Sequence, residues 1–524
     1  MNTPSKTISI TASGLLSDAL TAAGVSFRSP CGSRRSCGKC AVWLNPLSAE
    51  LSPISAEEQA FLERLPPTPP FSGFVRRLAC FCRAQGEIEI LAPEAKIEET
   101  AFAPPGGAAA EYDGERPEKL GCAVDVGTTT VTLLLFILGS GKILAAETAL
   151  NRQSVFGADV LSRITATTER GVAPLQNAIC SQLDELLQAA VQNSQKTFDE
   201  IERVCITGNT TMLHLLLGLP VASLGISPFT PNTLFGTLIP PSSILKAPLK
   251  NAEIYLPPAI SAFVGPDIIC AILSTNLTQL QTPSATPLAP LQSPTAPTPK
   301  SAKMLVDVGT NGEMALFTGS RLLCCSTAAG PAFEGAEITC GQGALPGAID
   351  AVWAKKDGSL GFSTIGNLPP TGVCGTGLIS AISALLKLEK LDRTGLLSDS
   401  KTYITDSVFL TQADIRNLQL AKSAICAGIE TLEREGTSSP EILWLAGGFG
   451  SALDPVPAAE IGLIPSSLAH IARPAGNAAL AGAVLLSRNK NLRESAKIIA
   501  NLAEEVPLAT NQFFFDRYMS NLNF

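Results

Sequence analysis

Apolar residues recur along this chain with two periods. Where they alternate with polar residues, or crowd into short runs closed by glycine, they predict strands. Where they recur every three or four positions they predict helices. Lys6 to Ile10 alternates as a strand, and LLSDALTAAG (15–24) has helical spacing and a glycine stop. A strand over AVWL (41–44), a helix over EEQAFLERL (57–65) and a strand over EIEIL (87–91) complete a first module. The stretch that follows, up to Leu120, is rich in Pro, Gly and Ala and has no period, so it predicts a flexible linker.

A larger body begins at GCAVDVGTTTV (121–131), a short apolar strand running into a Gly-Thr turn. VTLLLFIL and KILAAETAL predict two more strands. NRQSVFGADVLSRI (151–164) leads polar residues into a helix, and 175–194 continues with helical spacing. ERVCITGNTTMLHLLLG (202–218) reads as strand, polar turn and helix; the turn Gly208 to Thr211 is expected to face a cleft, and His214 to be a packed core histidine. After a Pro/Thr/Ser-rich insertion (278–300) the opening pattern returns at MLVDVGTNGEM (304–314). A glycine turn opens a helix at VCGTGLISAISALL (373–386), and Thr411 and Asp414 mark the start of a long amphipathic helix. WLAGGFGSAL (444–453) is strand then Gly-Gly turn, and GNAALAGAVLLS (476–487) is a small-residue helix suited to close packing at a hinge.

Length and charge narrow the class. A chain of 524 residues with 45% hydrophobic and 16% charged residues is globular and holds several domains. A net charge of -8 argues against broad binding to nucleic acid or to an anionic membrane. The first residues lack a basic-then-apolar leader, and the longest apolar run is too short to span a bilayer, so a cytoplasmic protein is expected.

The repeated Asp-x-Gly-Thr carries the first candidate chemistry. A carboxylate ending a buried strand beside a Gly-Thr turn suits Mg²⁺ and phosphate. Asp125 would hold the water shell of the metal, and Gly127, Thr128, Thr129 and Thr130 would cradle phosphate oxygens. The second copy offers Asp307 with Gly309, Thr310, Asn311 and Gly312. Two copies predict an internal duplication closing on one nucleotide, ATP, from both sides. Gly447, Gly448, Phe449, Gly450 and Ser451 form a flat turn apt for the adenosine face, and Glu313 is a candidate for orienting the attacking water. Alone, any one of these turns would also serve as a tight connection.

Four of the 14 cysteines form a second candidate centre. Cys31, Cys37 and Cys40 lie on one glycine-containing loop, with Cys80 and Cys82 further on; the other cysteines sit in apolar context and read as small buried residues. Zinc would usually need two C-x₂-C knuckles, and only Cys37/Cys40 makes one. The C-x₅-C-x₂-C…C run is similar to that of [2Fe–2S] ferredoxins, with the longer first gap of the adrenodoxin-like branch. In that pattern the Arg-Leu-Ala-Cys ending carries the fourth ligand, which implies Cys80, with Cys82 as the alternative. Arg34 and Arg35 in the cluster loop would either raise the cluster potential or face a partner.

In order, DVGTTT, DVGTNGE, GGFGS and GNAALAGA resemble the phosphate-1, phosphate-2, adenosine and connecting motifs of the actin-like (ASKHA) ATPases. Together with CGKC, RLAC, FGADVLSRI, GNTTMLHLLLG, CSTAAGPAFEGA and LTQADIRNLQLAKSAI, the chain resembles the reductive activators of corrinoid proteins. The resemblance implies a multidomain α+β and α/β protein: an N-terminal β-grasp [2Fe–2S] ferredoxin-like domain (1–92), a flexible linker (93–120) and a duplicated ASKHA body. The body is expected as a middle domain (121–203) and a C-terminal ATPase domain (204–490), followed by a tail (491–524). It implies an ATP-hydrolysing activase that passes one electron from its [2Fe–2S] cluster to Co(II) of a corrinoid protein or corrinoid methyltransferase, restoring Co(I). A low-potential electron donor, ATP and Mg²⁺ would be required, and the chain could form a homodimer. Two alternatives stand beside this: an electron-donating activator of a non-corrinoid enzyme such as a dehydratase, and a small-molecule kinase. The fused cysteine module argues against the kinase, because phosphoryl transfer needs no redox centre.

Overall fold

The computed structural model describes residues 5–23, 25, 35, 40–63, 73–93, 111–278 and 302–524. Cys31, Cys37 and Arg34, the stretch 94–110 and the insertion from 279 onward lie outside the described residues.

The N-terminal module is a five-stranded antiparallel sheet carrying two short helices. Its elements are β1 (Ser5–Leu15), α1 (Leu16–Ala22), β2 (Ala41–Leu44), β3 (Glu50–Leu51), α2 (Ala56–Leu62), β4 (Val75–Leu78) and β5 (Arg83–Pro93). The sheet order is β1-β5-β2-β4, with β3 beside β5. Leu16 and Leu20 of α1 are buried against Ile10, Ile88 and Ile90 of the sheet. Helix α2 is tied down by a charge: Arg77 donates to both carboxylate oxygens of Glu58 at 2.9 Å, and Glu58 also accepts from the Leu78 amide. Such a bidentate buried pair fixes orientation as well as position. It sets the course of the chain just before Cys80.

The body opens with β6 (Leu120–Val126), β7 (Thr130–Ile137) and β8 (Ile143–Leu150), then α3 (Val160–Arg170), α4 (Ala173–Asn193), β9 (Ile201–Gly208) and α5 (Thr210–Leu216). β10 (Phe235–Ile239), β11 (Glu253–Pro258) and α6 (Pro266–Ser274) complete a first half, whose sheet order is β10-β11-β9-β6-β7-β8. The second half starts with β12 (Lys303–Val308), β13 (Asn311–Phe317) and β14 (Leu322–Ala328). A small sheet of β15 (Ala348–Ala354), β16 (Leu360–Thr364) and β17 (Gly372–Val373), helix α7 (Gly375–Lys387) and the pair β18 (Lys401–Tyr403) and β19 (Phe409–Thr411) follow. Then come α8 (Gln412–Gly436), β20 (Ile442–Ala446), α9 (Gly447–Gly450), α10 (Pro455–Glu460), β21 (Ala472–Gly476), α11 (Ala478–Arg488), α12 (Leu492–Leu502), β22 (Ala503–Glu505) and α13 (Gln512–Ser520). The second sheet runs β21-β20-β12-β13-β14-β22.

The two sheets are built alike. In each, the first three strands form antiparallel hairpins, a later strand adds parallel to the first (β9 to β6, β20 to β12), and another adds parallel to that one. Alternation sorts the side chains. Cys122, Val124 and Val126 face a core with α4, while Ala123 faces a core shared by both halves. Likewise Met304, Val306 and Val308 pack with α7 and α8, and Leu305 faces the shared core. That shared core is held by α6 and α11, which pack directly on each other. A side chain at Gly482 of α11 would collide with the Cys270 carbonyl of α6, so the small-residue helix does pack closely where the halves meet.

Three expected boundaries move. β9 pairs with β6, so no domain boundary falls at 203/204; the first half continues to α6. The expected tail 491–524 belongs to the body, because β22 extends the second sheet beside β14 and α13 packs on α8, with Arg517 paired to Glu430 at 2.6 Å. Residues 111–120 are anchored rather than free. Asp113 pairs with the buried Arg203, whose guanidinium lies 4.8 Å from the Tyr112 ring, and Leu120 begins β6. In each case the tie is a long-range contact with no local signal.

Candidate functional site

Strand parity delivers the predicted aspartates. Asp125 shares the face of Ala123, and Asp307 shares that of Leu305, so both point to the middle of the molecule from opposite sheets. Glu313 stands opposite Asp307 across the β12–β13 hairpin and points the same way. A fourth acid joins them: Asp267 at the start of α6, whose charge is felt by Glu313 and which itself feels Asp125 and Asp307.

Burial dominates their titration. It pushes Asp125 up to about 6, with the Asn477 amide, donating to its Oδ2 at 2.9 Å, pulling it back. Asp307 is pushed up to about 7 by burial and then by Asp125. Asp267 and Glu313 are raised by burial and by the other acids. No ion pair joins any of the four to a basic side chain among the described residues. Glu313 Oε1 is buried without a hydrogen-bond partner. Four acids of one sign line the cleft, Asp125, Asp267 and Asp307 half-buried and Glu313 buried with an orphaned oxygen, and such a set fits a divalent cation. Among the described residues no three such side chains converge at direct ligand distance.

The turns between the first two strands of each half meet in the cleft. Thr129 and Thr310 hydroxyls lie 3.2 Å apart, and both donate to Glu334 Oε2, at 2.5 and 2.6 Å. The first turn is braced from below. Asn151 donates its side-chain amide to the Gly127 carbonyl and its backbone N–H to that of Thr129, Asn209 donates to Thr128 Oγ1, and Arg163 donates to the Thr128 carbonyl. Arg163 is fully buried and also donates to Gly157 O and reaches the Met212 sulfur. Burial lowers its pKa to about 10, and the charges of Asp159 and Glu334 pull it back up. Thr130 already belongs to β7, as Asn311 and Gly312 belong to β13.

The turn Gly447–Ser451 ends β20 as the short helix α9. Gly447 has φ +89°, and a side chain there would strike the Asp307 carboxylate. The Phe449 ring stacks on Phe333 at 4.8 Å and 13°. Phe333 is the neighbour of Glu334 on the 3₁₀ turn Pro331–Glu334, so one turn touches both the Gly-Gly turn and the Thr hydroxyls.

In the cysteine module, Cys40 and Cys80 Sγ lie 3.0 Å apart and are buried, whereas Cys82 Sγ points to the Arg83 carbonyl at 3.6 Å. Two converging sulfurs fit a metal cluster held at that loop. Arg35 donates to the Cys80 carbonyl and lies 5.2 Å from the Phe81 ring. The module meets the body through the turn Arg152–Val155: Val155 is part of the module's apolar core, and Phe156 packs against it.

Asp267, Asn151, Arg163 and Asn477 were not singled out from the sequence. Asp267 lies in the first turn of α6, and Asn477 caps its counterpart α11 in the second half. Arg163 had no signal, since it sits in an ordinary helical pattern. His214 is a core histidine as expected: Nδ1 lies 2.7 Å from the Thr210 carbonyl, Nε2 accepts from the Asn232 amide, and burial lowers its pKa. Among the described residues no helix is long and apolar enough to cross a membrane.

The chain has recognisable relatives. Residues 120–280 match the family model described as the RACo middle region, and residues 301–524 match that of the C-terminal ASKHA domain of RACo. The corrinoid activation enzyme RamQ of Eubacterium limosum is 30% identical over 443 residues, 77% of this chain and 70% of the relative. The [Co(II) methylated amine-specific corrinoid protein] reductase of Methanosarcina barkeri is 26% identical over 442 residues, 77% of each. A solved reductive activator for a corrinoid, iron-sulfur protein superposes with a TM-score of 0.68 at 25% identity, covering 98% of this chain and 96% of that one. With a duplicated ASKHA body, paired cysteines in the N-terminal module and these relatives, the chain belongs to the family of ATP-dependent reductive activators of corrinoid proteins.

Proposed function

We propose that this enzyme binds Mg·ATP between its two halves and uses it to drive electron delivery from its N-terminal module to the Co(II) form of a corrinoid protein. The observation that carries the reading is the pairing, in one chain, of a two-sided acidic cleft with two buried cysteine sulfurs 3.0 Å apart. Cys31, Cys37, Cys40 and Cys80 would hold a [2Fe–2S] cluster. Cys80 rather than Cys82 as the fourth ligand is supported by the Cys80 sulfur lying beside Cys40 while the Cys82 sulfur turns toward the Arg83 carbonyl. When bound, the cluster supplies a single low-potential electron that reduces Co(II) of the partner to Co(I), and a separate low-potential donor restores it.

The chain's own residues do the rest. Asp125, Asp307 and Asp267 would hold Mg²⁺ through its water shell, and the ion would supply positive charge to the phosphates. Thr128, Thr129, Thr310 and the backbone of both turns donate to phosphate oxygens, and Gly447 to Ser451 seat the adenosine. Glu313 orients the attacking water. Closure about α6 and α11 reaches the module through the turn that carries Asn151 at one end and Val155 at the other. Only a nucleotide with different affinity for two arrangements can shift them. A difference of ~5.5 kcal/mol turns a 1:99 equilibrium into 99:1, which for one electron is roughly 240 mV.

The test is reduction of candidate Co(II) corrinoid proteins, with a chemical or protein donor, with and without ATP, followed by visible spectroscopy. Co(I) should accumulate only with ATP. Equal Co(I) in both, or none with any corrinoid partner while ATP is consumed, would reject the reading.

A further inference from the structure

The Thr129 and Thr310 hydroxyls come from opposite halves of the molecule, yet both donate to one oxygen of Glu334. That carboxylate therefore closes the cleft by joining the two turns assigned to phosphate. Its backbone is not free to drift. Phe333, the residue before it, is buried and stacked on Phe449 of the Gly-Gly turn, and Gly375 packs against the Phe333 carbonyl so tightly that a side chain there would collide with it. The 3₁₀ turn Pro331–Glu334 thus spans the space from the adenosine end to the phosphate end.

The position along the nucleotide follows from the same contacts. The adenosine turn belongs to the second half and lies against Asp307, while Thr129 belongs to the first half. A polyphosphate that starts at the second half must cross toward the first. The last phosphate is the one that reaches hydroxyls shared by both turns. There it would take the donors that Glu334 holds and would set its negative charge beside a carboxylate.

We propose that Glu334 is a specificity-determining residue that reads the terminal phosphate of the bound nucleotide: its carboxylate clamps Thr129 to Thr310 in the closed cleft and must yield both hydroxyls when a triphosphate, but not a diphosphate, is bound. The terminal phosphate so exchanges one anion for another on the same donors. Its departure after hydrolysis lets Glu334 close the cleft again. Arg163, buried beneath the Thr128 carbonyl and within electrostatic reach of Glu334, keeps a positive charge under the place where the two anions exchange. The proposal rests on the nucleotide-site reading above.

The experiment compares Mg·AMPPNP and Mg·ADP binding, by calorimetry, to the full-length protein and to Glu334→Gln. The amide keeps the shape and can still accept a hydrogen bond, but carries no charge. Removal of a close like charge should tighten AMPPNP about tenfold and leave ADP within about twofold. Amide hydrogen exchange supplies a second readout on the folded variant. Without nucleotide, the turns at 127–130 and 309–312 should exchange faster in Glu334→Gln than in the parent, and AMPPNP should erase the difference. Equal tightening of both nucleotides, or weaker AMPPNP binding, would overturn the proposal. So would unchanged exchange in both turns. Failure of the parent to bind either nucleotide would instead remove the nucleotide-site reading on which it stands.

Discussion

The two halves of the body share a sheet and differ in what they aim into the cleft. Opposite Asp125, the second strand of the first half carries Thr132; opposite Asp307, the same register position carries Glu313. Thr132 is satisfied locally by the Thr148 hydroxyl at 3.1 Å, whereas Glu313 has an orphaned oxygen. At the start of the hinge helix the halves differ again, with Asp267 in the first turn of α6 and Asn477 capping α11. The 3₁₀ turn after the third strand differs most. In the first half it braces the phosphate turn through Asn151 and offers Val155 to the cysteine module; in the second it brings Phe333 and Glu334 to the nucleotide side. Duplication supplied the geometry: each half gives two acids to the cleft, Asp125 and Asp267 from the first and Asp307 and Glu313 from the second, while divergence in the turn after the third strand made the first half the link to the redox module.

The most severe test of that asymmetry keeps the geometry and removes the acid. Asp307→Ala should lower ATP hydrolysis by roughly 10²-fold or more, measured as phosphate release, while the visible spectrum of the cluster and its reduction by dithionite stay intact. Parental hydrolysis would make the second Asp-x-Gly-Thr turn a structural copy only.

Copying one half onto the other is the next step down. Glu313→Thr installs the first half's residue and should reduce kcat by about tenfold while raising the Tm of the apoprotein, because a buried, unpaired carboxylate is lost. Thr132→Glu does the converse and should destabilise by about 2–4 kcal/mol in urea unfolding. Opposite signs in the two swaps confirm that the halves differ at this register; like signs break the comparison.

The turn after the third strand can be tested through the module. Val155→Asp places a carboxylate in the module's apolar core and should cost about 2–4 kcal/mol of docking. Proteolysis within 94–110 should then quicken by about tenfold or more. An unchanged digestion pattern would mean that Val155 does not hold the module.

The smallest effect is in pH. Asp125 and Asp307 titrate near 6 and 7 when folded, above their usual value of 3.8. Between those limits the native state binds more protons than the unfolded one. Stability is therefore fully present at low pH and is lost as pH rises through 6 and 7, at about 1.4 kcal/mol per unit for each group that titrates. The Tm advantage of Asp307→Asn over the parent should widen from about pH 5 to about pH 8, and Mg²⁺ should narrow it. Parallel Tm profiles would show that the acid is already neutralised in the apoprotein.

Much of this was legible in the sequence where a covalent period governs the outcome. Alternation put Asp125 with Ala123 and Asp307 with Leu305, and the small-residue run 476–487 announced the close crossing of α11 over α6. Thr411 and Asp414 do form the reciprocal cap that opens α8. Most single cysteines proved buried, with Cys180 partly exposed. These are local facts, fixed by side-chain direction within a strand or a helical turn. What only the tertiary structure decided are meetings between distant segments: Glu334 on Thr129 across 205 residues, Asn477 on Asp125 across 352, and Cys80 rather than Cys82 beside Cys40. It also decided that residues past 203 and past 490 join sheets begun far upstream. No short-range period encodes such pairs, because their free energy is gained only after both halves have closed their loops and buried a common core.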